Sequence, residues 1–280
     1  MTIVNRATTE QLNPEVLPAP PDLLSVWPVP RSAALELRGR APLGSATIVR
    51  NVSVPNPTLY FVSALREALI RNGIDVQGPA IDGDETDVSL DRAKATPLAE
   101  RQSVPLNEIA RTMMKMSQNL FAETLLKTVG NPLGTGGSAA AGRETILRTL
   151  ASWGVSGSEI RLVDGSGLSR YNLITPAALT AVLAHVYRDE RLRGPFLEAL
   201  PVAGVDGTLQ NRMKGTPAEG NARAKSGSLS NVRSLAGFVG TADGEMLTFA
   251  VIANNYGIAP PAVDSATDAI VVALAGFTRR

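Results

Sequence analysis

The 280-residue sequence has no cysteine and one histidine. The first absence rules out a disulfide framework and thiol catalysis; with the second, the usual zinc-ligand spacings cannot be met, so no metal and no cofactor are expected. Neither sign of charge is in excess: 27 Lys and Arg against 26 Asp and Glu leave a net charge of +1, and the basic residues are scattered. Nothing in that balance points to nucleic acid or an acidic membrane surface. The longest strongly apolar run, Met246 to Ala253, is too short to span a bilayer, so no transmembrane segment is expected. No signal peptide is expected either, because the first nine residues carry Asn5, Arg6, Thr8 and Thr9 where an apolar core would be needed. Internal repeats are absent, and low complexity is confined to the Gly/Ala patch around Gly134 to Gly142. What the chain does have is 44% hydrophobic residues, enough for a substantial core in one large domain or two small ones.

Residues 1–34 are rich in proline (Pro14, Pro18, Pro20, Pro21, Pro28, Pro30) and read as an extended linker. Between Ala34 and Val54, Leu35, Leu37, Ile48, Val52 and Val54 suggest two short strands around a turn. Pro57 opens a helix over about Thr58 to Asn72, Ile74 to Gly78 reads as a short strand, and 82–104 as a polar surface excursion. Apolar spacing predicts helix from about Pro105 to Val129, with a phase slip near Ser117 that divides it in two at Ser117-Gln118-Asn119. The Gly-rich loop Gly130 to Gly137 lacks a P-loop ending, and Gly165-Ser166-Gly167 has Arg170 where a dinucleotide fingerprint needs its third glycine. Both are therefore read as connections. Further helices are expected over about Ser138 to Trp153, Pro176 to Arg188 and Pro261 to Ala275. Strands are expected over Ala222 to Ser228, Arg233 to Thr241 and Met246 to Asn254, the last two joined by an Asp243-Gly244 turn in an antiparallel arrangement.

The stretch that organises the chain chemically is Ala222 to Leu229. Lys225 supplies a point charge, Ser226 a hydroxyl donor, and Gly227 a backbone without a side chain, at the start of a strand. Such a set suits gripping a carboxylate. Polar Ser117 and Asn119 sit at a helix junction where side chains can face a cleft. Two compact loops lie between these sites: Asp164-Gly-Ser-Gly-Leu-Ser-Arg170, which includes Ser166, and Leu200-Pro-Val-Ala-Gly-Val-Asp-Gly-Thr-Leu209, which includes Asp206 and Thr208. Asp164 and Asp206 are read first as braces of their own loops, since Asp-Gly is a turn former. His185 is read as a partly buried or surface helical residue, because no oriented partner marks it as a base.

Ser117-Gln118-Asn119 matches a Ser-x-Asn motif, Lys225-Ser226-Gly227 a Lys-Thr/Ser-Gly motif, and the two loops lie between them in order. Together they resemble the class C low-molecular-mass penicillin-binding proteins, the penicillin-binding protein 4 type D-alanyl-D-alanine carboxypeptidase/endopeptidases, from about Ala34 to the C-terminus. The resemblance implies an α/β (α+β) fold of the penicillin-recognising serine transpeptidase/β-lactamase-like kind, an antiparallel sheet flanked by helices, N-terminally incomplete. Residues 55–280 would be the C-terminal part of that domain, and 1–54 a linker and remnant of an inserted β-rich domain. It further implies an acyl-enzyme reaction on peptidoglycan stem peptides ending in D-Ala-D-Ala, β-lactams as ligands of a complete site, and the periplasm or cell envelope as location. By the same resemblance Ser117 relays a proton, Asn119 holds the substrate amide, Lys225 supplies positive potential, Ser226 binds the terminal carboxylate, and the Ser228 amide is an oxyanion donor beyond Gly227.

The family's nucleophile comes from a Ser-x-x-Lys motif before Ser-x-Asn, and residues 1–116 contain none. Ser63-Ala-Leu-Arg66 and Ser89-Leu-Asp-Arg92 come nearest, but arginine cannot serve as a base. The chain is therefore expected to be a C-terminal piece of a longer protein, with no nucleophile of its own. Two functions stay open: a serine peptidase whose nucleophile segment lies elsewhere, or a non-catalytic peptidoglycan-peptide or partner-binding module that retains the carboxylate groove. An esterase using Ser117 or Ser166 is a third reading, without a Gly-x-Ser-x-Gly setting or an evident base.

Overall fold

A computed structural model describes residues 2–11, 24–29, 34–50, 52–86, 96–131 and 137–279. The chain divides into two compact units, Met1–Ala99 and Glu100–Arg280. The first contains a three-stranded sheet of β1 (Thr2–Glu10), β2 (Leu24–Pro28) and β3 (Ala34–Pro42), with β3 in the centre, parallel to β1 and antiparallel to β2. Glu36 on β3 pairs with Arg6 across the sheet and with Arg38 on its own strand. The proline-rich start thus holds two strands where an extended linker was expected. The one proline inside them, Pro28, ends edge strand β2, where its missing N–H is tolerated. Helix α1 (Pro57–Arg71) starts as predicted: Asn56 caps it by accepting the Leu59 amide at 2.8 Å, with Pro57 in the first turn. The second strand expected before Val54 and the one at Ile74 to Gly78 do not form; residues 45–50, 52–54 and 74–77 have no regular structure. Residues 12–23 and 87–95, with Ser89 and Arg92, and the centre of the Gly130 to Gly137 loop lie outside the described residues.

The second unit runs through α2 (Leu106–Met116), α3 (Asn119–Val129), α4 (Ala139–Ser152), the short pair β4 (Ile160–Arg161) and β5 (Leu173–Ile174), α5 (Pro176–Arg188) and α6 (Glu190–Ala199). It closes with β6 (Arg223–Leu229), β7 (Val232–Gly240), β8 (Met246–Asn254) and α7 (Pro260–Ala275). Strands β6, β7 and β8 form an antiparallel sheet in that order, with Lys225 opposite Ala236 and Gly227 opposite Ser234. Strand alternation sorts the two faces. Leu235 and Val239 pack with Phe249 against Val271 and Ala275 of α7, while Phe238 on the opposite face packs with Leu183 of α5, Leu200, Phe196 of α6 and Met114 of α2. Leu235, Phe238 and Val239 are essentially inaccessible to solvent, each burial being worth about 1.5–3 kcal/mol. Helices therefore cover both faces, as expected, and Met114 ties the end of α2 to the sheet that carries Lys225.

Gly142 and Gly237 are among the close approaches that require glycine. A Cβ on Gly142 of α4 would stand 1.9 Å from the Leu126 carbonyl oxygen of α3, and one on Gly237 of β7 would stand 2.1 Å from that of Arg223. Helix α6 was not foreseen, because Pro195 falls inside it. It forms nevertheless, with Asp189 accepting the Arg191 amide at 2.9 Å as its N-cap.

Candidate functional site

Helix α2 ends where the apolar phase slips. Ser117 takes a left-handed conformation (φ 55°, ψ 50°), and the Gln118 amide reaches back to the Met113 carbonyl at 3.0 Å, a Schellman-type closure. A non-glycine residue held there costs on the order of 1 kcal/mol. The turn presents the Ser117 hydroxyl to Lys225, whose Nζ donates to it at 2.9 Å and to the Ser226 carbonyl at 2.9 Å. Ser117 therefore closes α2 and does not cap α3 with its side chain. Exposed Asn119 opens α3, with no side-chain hydrogen bond among the described residues. Burial disfavours the charged form of Lys225 and lowers its pKa from the ordinary lysine value.

The loop from Leu200 to Leu209 covers the start of β6. Its buried residues Leu200, Pro201, Val202, Ala203 and Leu209 explain the apolar part of that sequence. The Ala224 amide donates outward to the Pro201 carbonyl at 3.0 Å, and the Ala203 amide donates to the Ala222 carbonyl at 2.9 Å. Because backbone groups alternate along a strand, the amides of Ser226 and Ser228 point the same way as that of Ala224. Beyond Ala224 this edge has no strand partner among the described residues. At the open edge the Ser226 hydroxyl donates to Thr208 Oγ1 at 2.8 Å. Gly227 faces Ser234, whose Oγ would lie 2.3 Å from an added Cβ; the bare backbone here leaves room for the Ser234 hydroxyl.

Asp206 does more than brace its loop. Its Oδ1 accepts the Val202 amide at 3.0 Å, and its Oδ2 is ion-paired with Lys115 of α2. Burial raises its pKa, but the Lys115 hydrogen bond, the Val202 amide and the charges of Lys115 and Arg223 prevail and hold it below the usual carboxylate value. Asp164 braces the other loop, accepting from the Gly167 amide at 2.8 Å, the Ser169 amide at 2.6 Å and Asn172 Nδ2 at 2.8 Å. That loop is held to α3 by Glu123, whose Oε1 accepts the Gly165 amide at 3.1 Å, the Ser166 amide at 2.9 Å and the Ser166 hydroxyl at 2.6 Å. Burial opposes the Glu123 charge, yet these donors outweigh it and keep its pKa low. Ser166 is thus engaged as a loop anchor, and Arg170 is exposed.

The structure therefore brings Ser117, Lys225, Ser226 and Thr208 together, and adds Asp206 through Lys115. Asp164 and Ser166 lie in a second loop, which Glu123, one turn beyond Asn119 on α3, holds through Ser166; exposed Arg170 is not brought to either group by any hydrogen bond or ion pair among the described residues. Sequence reasoning did not single out Lys115 and Glu123; the spacing of Asn119 and Glu123, four residues apart on one helix face, was the available signal. His185 stacks on Trp153, with ring centroids 4.2 Å apart. Among the described residues no group of three or more His, Cys, Asp or Glu side chains could hold a metal ion, and no helix is long and apolar enough to cross a membrane.

Comparison with known proteins agrees with the four-motif resemblance. The D-alanyl-D-alanine carboxypeptidase of Actinomadura sp. (strain R39) is 36% identical over 249 residues, covering 87% of this chain and 45% of that protein. The penicillin-sensitive carboxypeptidase A of Dictyostelium discoideum is 32% identical over 260 residues, covering 88% of this chain and 48% of that protein. The chain spans about half the length of these relatives. Penicillin binding protein 4 from Haemophilus influenzae has the same fold: one crystal structure superposes with a TM-score of 0.76 at 24% identity, covering 99% of this chain and 61% of that one. A second, of the same protein complexed with a β-lactam, gives 0.71 at 26% identity over 89% of this chain and 59% of that one. Residues 24–276 match the model of one family, and the chain belongs to it: the D-Ala-D-Ala carboxypeptidase 3 (S13) family.

Proposed function

We propose that this chain forms the carboxylate-gripping part of a serine-type D-alanyl-D-alanine carboxypeptidase/endopeptidase acting on peptidoglycan stem peptides. The observation that carries the reading is the cluster at the open edge of β6: Lys225 Nζ 2.9 Å from Ser117 Oγ, beside the Ser226–Thr208 hydroxyl pair. An extended peptide laid along that edge meets the outward amides of Ser226 and Ser228. Its terminal carboxylate reaches the Ser226 hydroxyl within the field of Lys225. Ser117, held against the Lys225 ammonium, passes a proton to the leaving amine, and Asn119 holds the substrate amide. The Ser228 amide donates to the oxyanion that forms as a serine attacks the carbonyl between the two D-alanines. Attack expels the terminal D-alanine and leaves an acyl-enzyme, which water hydrolyses. The proposal assigns no nucleophile among these residues. Residues 55–280 are taken as part of the transpeptidase-like domain and 1–54 as belonging to an inserted one, with β-lactams as further ligands and the cell envelope as the place of action.

The test is calorimetric titration with a stem peptide ending in D-Ala-D-Ala. Lys225→Ala removes the cation nearest the bound carboxylate and is expected to weaken binding by at least about thirtyfold, roughly 2 kcal/mol. Unchanged affinity would refute the reading.

A further inference from the structure

Two lysines lie close to Ser117, and the family motifs account for one of them. Lys225 donates to the Ser117 hydroxyl, whereas Lys115 sits two residues before Ser117 on α2 with its side chain 20% exposed and its ammonium on Asp206. The other Asp206 oxygen accepts the Val202 amide. Gly207 follows with φ +57°, and a Cβ there would lie 2.9 Å from the Lys115 carbonyl oxygen, so the loop backbone rests directly on the last turn of α2. The next residue, Thr208, accepts the Ser226 hydroxyl at 2.8 Å. A continuous series of contacts therefore leads from Lys115, through Asp206 and Gly207, to the hydroxyl pair on which the terminal carboxylate is proposed to sit. Charge makes the pairing consequential. Asp206 stands two residues from Thr208, and its unpaired carboxylate would repel a substrate carboxylate arriving there.

We propose that Lys115 is a positioning residue for the carboxylate end of the substrate: paired with Asp206, it fixes the Asp206-Gly207-Thr208 turn on α2 and cancels the negative charge beside the Thr208–Ser226 pair. The inference rests on the carboxylate-binding reading above. It makes Lys115 selective for an anionic chain end without touching the substrate.

The experiment titrates the purified chain with two stem peptides, one ending in D-Ala-D-Ala as the free acid and the other as its carboxamide. Lys115→Met is expected to weaken binding of the free acid about tenfold or more and of the carboxamide no more than about threefold. Lys115→Arg, which keeps the ion pair, is expected to bind both like the parent. Adding Asp206→Asn to Lys115→Met removes the stranded charge while leaving an oxygen for the Val202 amide, and is expected to restore most of the lost free-acid affinity. Lys115→Gln takes the place of Lys115→Met if the latter does not fold, with the same ordering of the two peptides. Equal losses for both peptides, or a double variant as weak as the single one, would overturn the inference. If the parent binds and Lys225→Ala weakens it while Lys115→Met does not, this inference alone fails. A parent chain that does not bind the free acid overturns the proposed function and this inference with it.

Discussion

Glu123→Ala tests how the loop from Asp164 to Arg170 is held. In the parent, one carboxylate oxygen accepts the Gly165 amide, the Ser166 amide and the Ser166 hydroxyl. Hydrogen bonds to a charged group are worth about 1.5–3 kcal/mol each when buried, but Glu123 is only half-buried and the freed loop amides can turn to water. About 1 kcal/mol per bond is then reasonable, and three donors sharing one oxygen bring the total to about 2 kcal/mol. Native-state hydrogen exchange of the Gly165 and Ser166 amides reads this locally: alanine is expected to speed exchange about thirtyfold, and Glu123→Gln, which keeps an acceptor without the charge, by about fivefold. The sign of the pH dependence is fixed by the low pKa of the carboxyl. Its contribution is complete above the ordinary value of 4.5 and is lost as pH falls through the lower folded value. The parent should therefore approach the glutamine variant in acid. Equal protection in parent and alanine variant at neutral pH would refute this account of the loop.

Gly142→Ala is expected to destabilise the second unit by about 1–3 kcal/mol, because the new methyl would stand 1.9 Å from the Leu126 carbonyl and force α3 from α4. Urea denaturation checks it, and an unchanged midpoint would refute the packing argument. Lys225 should deprotonate below the ordinary lysine value of 10.5, since burial lowers its pKa. The penalty for burying its charge is complete below the folded value and is relieved as pH rises from there to 10.5, while affinity for a D-Ala-D-Ala peptide falls over the same range. Affinity that holds until 10.5 or above would contradict it.

Local signals were legible where they sufficed. The helix over Pro176 to Arg188 was read with the bounds it has from the apolar face of Leu179, Val182, Leu183 and Val186, and in the structure Thr175 caps it with Pro176 in its first turn. The break at Ser117 was visible as a slipped apolar period and is a left-handed residue in the structure. Strand β1 was not legible, since its pairing with β3 joins residues about thirty apart in the chain and leaves no local alternation. Strands β4 and β5, two residues each, are too short to carry a period. The motif residues Ser117, Lys225 and Ser226 could be named in advance, but not the reach of Lys115 to Asp206 across ninety-one positions or that of Glu123 to Ser166 across forty-three. Such pairings exist only once helices and loops are placed.

The loop over the start of β6 also bears on solubility. A sheet with an unpaired outer strand invites a second copy to add its own strand there, and long open edges of that kind template aggregates. With the Ala224 amide already satisfied by Pro201, the outward donors left along β6 are those of Ser226 and Ser228. Two donors beside a lysine make a foothold too short for sheet-to-sheet stacking, yet long enough for the end of a single peptide.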